Sequence, residues 1–287
     1  MTDSSNPEGD ALSAALSSWH AASVLAYGGD GGGFTPPDIF NEIFPPALLF
    51  EGTVFEFNRI QLVRFVSVAV ILLVFWLGTR KLKLVPNRRQ SIIEMLVDFV
   101  RVNIVEEVLG SRERARPYVR IISVFFIAIL MFNLTGMVPG LNFAGTGTIA
   151  MPLLLALMAL VTFVRAGVKA NGVGGYLKAT AAPSGVPGPV LILLAPIELI
   201  STFIIRPVSL TVRLFVNMAS GHLILVLAFA ATHYLLLEVS GVLAASSAFT
   251  LVGGTVFTMF KLFVAGLQAY IFALLTTVYI SLSIEEH

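Results

Sequence analysis

No cysteine occurs in the 287 residues of this chain, which excludes disulfides, thiolate metal sites and a cysteine nucleophile. Histidine is scarce too: His20, His222, His233 and His287 show no metal-ligand spacing. Charge is the third shortage. Only 12% of residues are charged, against roughly 25% in a soluble domain. A net charge of +1 offers no electrostatic footprint for nucleic acid. No Gly-x-x-x-x-Gly-Lys-Ser/Thr loop is present, so the chain does not read as a nucleotide-hydrolysing subunit.

What the chain has is apolar length. It is 56% hydrophobic with a mean hydropathy of +0.89, and its apolar runs far exceed the roughly 18 residues that suggest a membrane span. The expected class is an all-α membrane protein. Lys and Arg are absent from Met1 to Asn58, a small, Gly-rich and mildly acidic stretch. After a first apolar segment, ten cations arrive between Arg80 and Arg120, and Arg165, Lys169 and Lys178 follow the third segment. The positive-inside rule makes both stretches cytoplasmic and the N-terminus external. The expected organisation is an extracytoplasmic tail over 1–44 and a single membrane domain over 45–287.

The spans fall at about 60–79, 121–138, 149–164, 190–237 and 243–283. Arg64 sits near the outer end of the first, where it can snorkel. Ser91-Ile92-Ile93-Glu94 has the form of a capping box. It opens an amphipathic stretch, about 90–109, with Ser91, Glu94, Asp98 and Arg101 at helical spacing. That stretch suits the inner membrane interface, or packing on a soluble partner. Arg165 to Pro189 reads as the longest inner connection, with a loop signal at Gly172-Val173-Gly174-Gly175. The last two apolar segments are each about twice the roughly 20 residues that a perpendicular helix needs. Each is either a pair of spans or one long, tilted helix. Two tilted helices forming a hairpin are preferred, which gives about five crossings and a cytoplasmic C-terminus at Glu285-Glu286-His287.

Arg213 lies deep in the fourth segment. A cation at bilayer depth costs roughly 2.5 kcal/mol or more unless a partner or a wet cavity compensates it. At about 100° per residue, Arg206, Ser209, Arg213, Asn217 and Ser220 fall on one stripe. His222 lies half a turn away from Arg213 and about 13 Å along the axis. Glu198 lies about 22 Å from Arg213 in the other direction. Lys261 and Gln268 share a face of the last helix, from which Gln268 could reach the guanidinium. No acid in these helices is placed to neutralise Arg213, so its countercharge is expected from another polypeptide. Plainer roles are open: Arg213 bonded to carbonyls of a broken helix, His222 as a packing histidine, Asn217 and Gln268 as interhelical glue, Glu198 as a polar group near a helix start, and Lys261 as a snorkelling cation.

The run Pro207-Val208-Ser209-Leu210-Thr211-Val212-Arg213-Leu214-Phe215-Val216-Asn217-Met218-Ala219-Ser220-Gly221-His222 resembles the arginine-bearing signature of subunit a of rotary F-type ATP synthases. Leu267-Gln268-Ala269-Tyr270-Ile271-Phe272 through Ile280 is similar to that family's last helix. Asn133-Leu134 with Pro139, and Pro196-Ile197-Glu198, match weaker positions. The resemblance covers about residues 45–287. It implies a non-catalytic, proton-translocating stator subunit with two offset half-channels. It implies as partners a ring of small c subunits that carry membrane carboxylates, the peripheral-stalk b subunits, the rest of the F1Fo complex and the lipid bilayer. It implies no cofactor. Arg213 takes the essential rotor-facing role. Asn217 and Gln268 match polar positions beside it, with Ser209 on the same stripe. His222 and Asn133 match outer-channel positions, and Glu198 the inner-channel acid. A guanidinium keeps its charge and cannot relay a proton, whereas imidazole changes charge near neutral pH and can.

Two positions depart from the pattern. The family often pairs an acid with a histidine where His222 and Lys261 stand, and Gly136 stands where some members carry an acid. The N-terminal tail lacks the Arg-rich pattern of a mitochondrial transit peptide, so a bacterial plasma membrane is expected. The competing readings are a free-standing secondary transporter that holds an anion on Arg213 and a membrane scaffold. The transporter class usually shows internal repeats, which this sequence lacks. The scaffold leaves the membrane arginine unexplained.

Overall fold

A computed structural model of the chain describes residues 47–49, 57–79, 88–137, 148–181, 188–237 and 242–285. The N-terminal tail, the turn at 141–147 and the extreme C-terminus lie outside the described residues. Ahead of the helices, β1 (Ala47–Leu49) pairs antiparallel with β2 (Phe57–Asn58), a small exception to the all-α expectation. Every other regular element among the described residues is helical. The helices are α1 (Arg59–Thr79), α2 (Arg88–Val100), α3 (Glu107–Leu109), α4 (Arg112–Thr135), α5 (Ala150–Ala181), α6 (Gly188–Ile200), α7 (Arg206–Leu237), α8 (Val242–Ala245) and α9 (Ser247–Glu285). A π turn, Arg101–Glu106, joins α2 to α3, and a second, Ser201–Ile205, joins α6 to α7. Among the described residues, four helical runs are long and apolar enough to cross a membrane: 112–135, 150–181, 192–237 and 247–284. A shorter apolar helix, Gln61–Leu73, lies within α1.

Several boundaries differ from the sequence reading. The helix expected to start at the Ser91 box starts at Arg88, so Ser91 is internal. Glu94 accepts from Gln90 Nε2 at 2.7 Å, an i,i+4 pair on one helix face, instead of closing a cap. The span expected at 121 begins at Arg112. There Gly110, at φ 69°, ends α3, and the Ser111 hydroxyl accepts from the Arg114 N–H at 3.4 Å. That is an N-cap, and it puts Arg112, Arg114, Arg116 and Arg120 on the helix itself. The connection expected over 165–189 is helical to Ala181. Gly172, at φ 71° and ψ 166°, interrupts it, a conformation essentially restricted to glycine. Beyond that break the Tyr176 ring occupies the space a Cβ on Gly167 would need, 2.4 Å away. The fourth segment is helical from Gly188 to Leu237 without a loop, as the single-helix alternative requires.

The chain divides into two compact units, Pro45–His222 with Lys261–His287, and one containing Leu223–Phe260. In the larger, α4 supplies the centre of the core with Ile122, Phe125 and Ile129, packed with Val100 and Ile104, Phe163, Leu210 and Leu214, and Phe272. Phe125 meets Phe272 edge-on at 5.9 Å, and Phe163 meets Tyr279 at 5.7 Å. Ala156, Ala159, Ala269 and Ala273 are fully buried. Small residues let membrane helices approach closely where lipid provides no hydrophobic drive to associate. In the smaller unit, the Thr232 hydroxyl bonds that of Thr250 at 2.8 Å, and Gly254 faces Ala228 and Phe229.

Candidate functional site: a polar seam around Arg213

Within the larger unit, the two helices that carry the predicted residues each show a clear inner and outer face. On α7, Leu210, Leu214, Met218 and His222 are buried at intervals of four, the spacing of one helix face. Ser209, Arg213 and Ser220 are exposed, and Asn217 is half-buried. Arg213 and His222 therefore sit on opposite faces, as the nine-residue spacing requires. On α9, Lys261, Ala265, Gln268, Phe272 and Thr276 form the buried face.

These faces meet through side chains. Asn217 Nδ2 donates to Gln268 Oε1 at 3.5 Å. Asn133 Nδ2, from α4, donates to the Ala265 carbonyl at 3.5 Å, one turn from both Lys261 and Gln268. The Lys261 stem lies against Gly221, with its Cε 3.3 Å from where a Cβ would stand. The structure thus brings Asn133, Asn217, Gln268 and Lys261 together. It does not place Gln268 on the Arg213 guanidinium. Asn217, one turn beyond Arg213, takes that amide instead, being half-buried on the side nearer α9. Among the described residues Arg213 has no carboxylate within ion-pair distance, whereas Arg206, on the same predicted stripe, has one.

That pair was not legible from spacing. Arg206 Nη2 lies 3.4 Å from Glu198 Oε1, with side chains only 15% and 29% exposed. Eight residues of regular α-helix would leave them about 80° apart. The π turn at Ser201–Ile205 takes up one extra residue, so the pair behaves as an i,i+7 pair about 20° apart. Arg206 also stacks over the Tyr279 ring at 5.1 Å, a cation–π contact. An eight-residue interval between an acid and an arginine is the one sequence signal that hints at it, and only once a π turn is assumed.

Two polar atoms in the seam are left over. Lys261 Nζ and Gln268 Nε2 are buried and meet no hydrogen-bond partner among the described residues. Buried donors are costly without a partner, and water is the usual one in a polar cavity. Arg64, expected to snorkel, donates to the Thr148 hydroxyl across 84 residues of sequence. Among the described residues no three His, Asp or Glu side chains gather in a way that could hold a metal.

Residues 61–281 match the family described as ATP synthase A chain. The chain is 40% identical over 249 residues to an ATP synthase subunit a of Rhodococcus erythropolis, covering 86% of this chain and 90% of the relative. It is 37% identical over 251 residues to that of Pseudarthrobacter chlorophenolicus, covering 88% and 93%. It is 36% identical over 258 residues to that of Streptomyces lividans, covering 90% of each. These matches lend no support to the reading as a stand-alone transporter.

Proposed function

The chain belongs to the ATP synthase A chain family, and on that premise we propose that it is the stator that passes protons to and from a ring of carboxylate-bearing c subunits. The observation that carries this is Arg213: exposed on its helix, with no described carboxylate to neutralise it. A membrane arginine in that state needs an external anion, and a ring carboxylate supplies one. The guanidinium holds the deprotonated carboxylate and blocks direct leakage between entry and exit, because it does not release its own proton.

The outer half-channel runs past His222, Lys261 and Asn133. Lys261 Nζ and Gln268 Nε2, buried and without a hydrogen-bond partner among the described residues, support a wet path there. Asn217 and Gln268 steady the wall beside Arg213, and Ser209 shares its exposed face. Glu198 is the inner-channel acid, with Arg206 holding it in place. The chain crosses the bacterial plasma membrane about five times, with its N-terminus outside and its C-terminus in the cytoplasm. It does no catalysis alone, needs no cofactor, and is held to the rest of the F1Fo complex by the peripheral-stalk b subunits.

The absence of cysteine makes the chain a clean background for cross-linking. Ser209→Cys should form a disulfide with a cysteine placed beside the ring carboxylate. Val124→Cys, exposed on α4, should not. Equal cross-linking from both positions, or none from Ser209→Cys in an assembled complex, contradicts the assignment.

A further inference from the structure

A cavity of about 710 Å³ opens where the amphipathic helix meets α4, lined by Arg101, Glu106, Arg112, Glu113, Arg116 and Val119. None of these residues belongs to the seam around Arg213. Three guanidinium groups and two carboxylates line it, and Asp98 Oδ1, just outside the lining, lies 3.3 Å from Arg101 Nη1, so Arg112 and Arg116 are the cations least neutralised there. The π turn Arg101–Glu106 builds the first pair. Five residues apart in an α-helix lie about 140° apart, whereas across a π turn, which takes up one residue, they behave as an i,i+4 pair about 40° apart. Glu106 Oε1 then sits 3.5 Å from Arg101 Nε and 4.0 Å from Arg112 Nε. Neither contact satisfies hydrogen-bond geometry: Arg101 Nε and Glu106 Oε1 are buried atoms without a hydrogen-bond partner among the described residues. Arg116 has no carboxylate within ion-pair distance among the described residues. Arg116 is therefore a guanidinium at the cavity with no described carboxylate on it, and Arg112 meets one only at 4.0 Å.

Depth narrows the ligand. The apolar run of α4 begins at Ile121, and Arg116 lies about 7 Å before it along the axis. That matches the headgroup layer, about 5–7 Å thick on each side of the hydrocarbon core. Val119, one turn nearer the core, makes an apolar wall on the membrane side. The amphipathic helix also exposes Ile92, Met95, Phe99 and Val102 at helical intervals, a stripe suited to acyl chains. Arginine forks bind phosphate oxygens two at a time, and basic pockets at the ends of membrane helices suit anionic headgroups.

We propose that this cavity binds a phosphate-bearing anion, and that its occupant is the headgroup of an anionic phospholipid. The bound lipid ties the amphipathic helix to the start of α4. This inference rests on the cavity alone and stands whether or not Arg213 has the role given above.

The test uses the full-length chain purified with its native partners and exchanged into phosphatidylcholine nanodiscs containing a minor fraction of phosphatidylglycerol. Retained lipid is then quantified by mass spectrometry. The wild-type chain should enrich phosphatidylglycerol. Arg112→Gln with Arg116→Gln should lower that enrichment by roughly tenfold, while Arg114→Gln, outside the cavity, should change it by less than about twofold. Arg112→Lys with Arg116→Lys keeps the charge but loses the fork, so its enrichment should fall between those of the wild type and the Gln pair. Excess inorganic phosphate should not displace the lipid. Displacement with the same dependence on Arg112 and Arg116 would keep the phosphate site and assign it to the free ion. The proposal is overturned if the Gln pair matches wild type, if Arg114→Gln loses as much as the pair, or if the Lys pair loses as much as the Gln pair.

Discussion

Glu198 and Arg206 face each other at 3.4 Å only because the five residues between Ser201 and Ile205 form a π turn. The same turn sets the register of α7, so the rotation that aligns this pair also decides which way Arg213 points. Local irregularity here positions two charges at once, a common use of π turns at functional sites.

Breaking this ion pair should be visible as stability. Arg206→Ala leaves a half-buried carboxylate without its cation and should lower stability in detergent by roughly 1–2 kcal/mol, with the partial exposure of both groups reducing the loss. Adding Glu198→Gln should cost nothing further, since the orphaned charge is then gone. Tyr279→Leu removes only the cation–π contact and should cost about 0.5–1 kcal/mol. Thermal unfolding of the three variants checks the order; a double variant much worse than Arg206→Ala would contradict it.

Gly221 and Lys261 form a second coupled pair. A methyl at 221 would sit 3.3 Å from the lysine Cε, a contact the flexible stem can yield. Gly221→Ala should therefore assemble and pump at near wild-type rate, whereas Gly221→Leu should not. Shortening the stem with Lys261→Ala should recover assembly of Gly221→Leu, and the non-additivity is the evidence of contact. Co-purification of the complex reads this directly.

The break in α5 yields a contrast between two glycines. Gly172→Ala forces a side chain into a glycine-only region and should cost about 1–3 kcal/mol. Gly174→Ala has open space around it in the following helix and should be neutral or stabilising by about 0.5–1 kcal/mol. Thermal midpoints of the two variants should move apart, with Gly172→Ala the lower.

Composition and hydropathy made the membrane class and the long final helices legible, because bilayer thickness maps directly onto run length. The stripe through Ser209, Arg213 and Asn217 was legible for the same reason: regular α-helix has a known rotation. What the sequence hid lay where that rotation fails. The π turn at Ser201–Ile205 joined Glu198 to Arg206, and the one at Arg101–Glu106 built the cavity network. Helix ends were hidden as well. Arg112 to Arg120 lie on α4 because Gly110 and Ser111 cap it, although their charge marked them as a connection. The Asn217–Gln268 bond depends on the approach of two helices, which spacing along one helix cannot supply.

The central claim is that Arg213 works against a ring carboxylate. ATP-driven proton pumping in inverted membrane vesicles carrying Arg213→Ala tests it most directly, after the variant chain is confirmed to co-purify with the ring. The account predicts an assembled complex with pumping abolished. Normal pumping by that complex would contradict it.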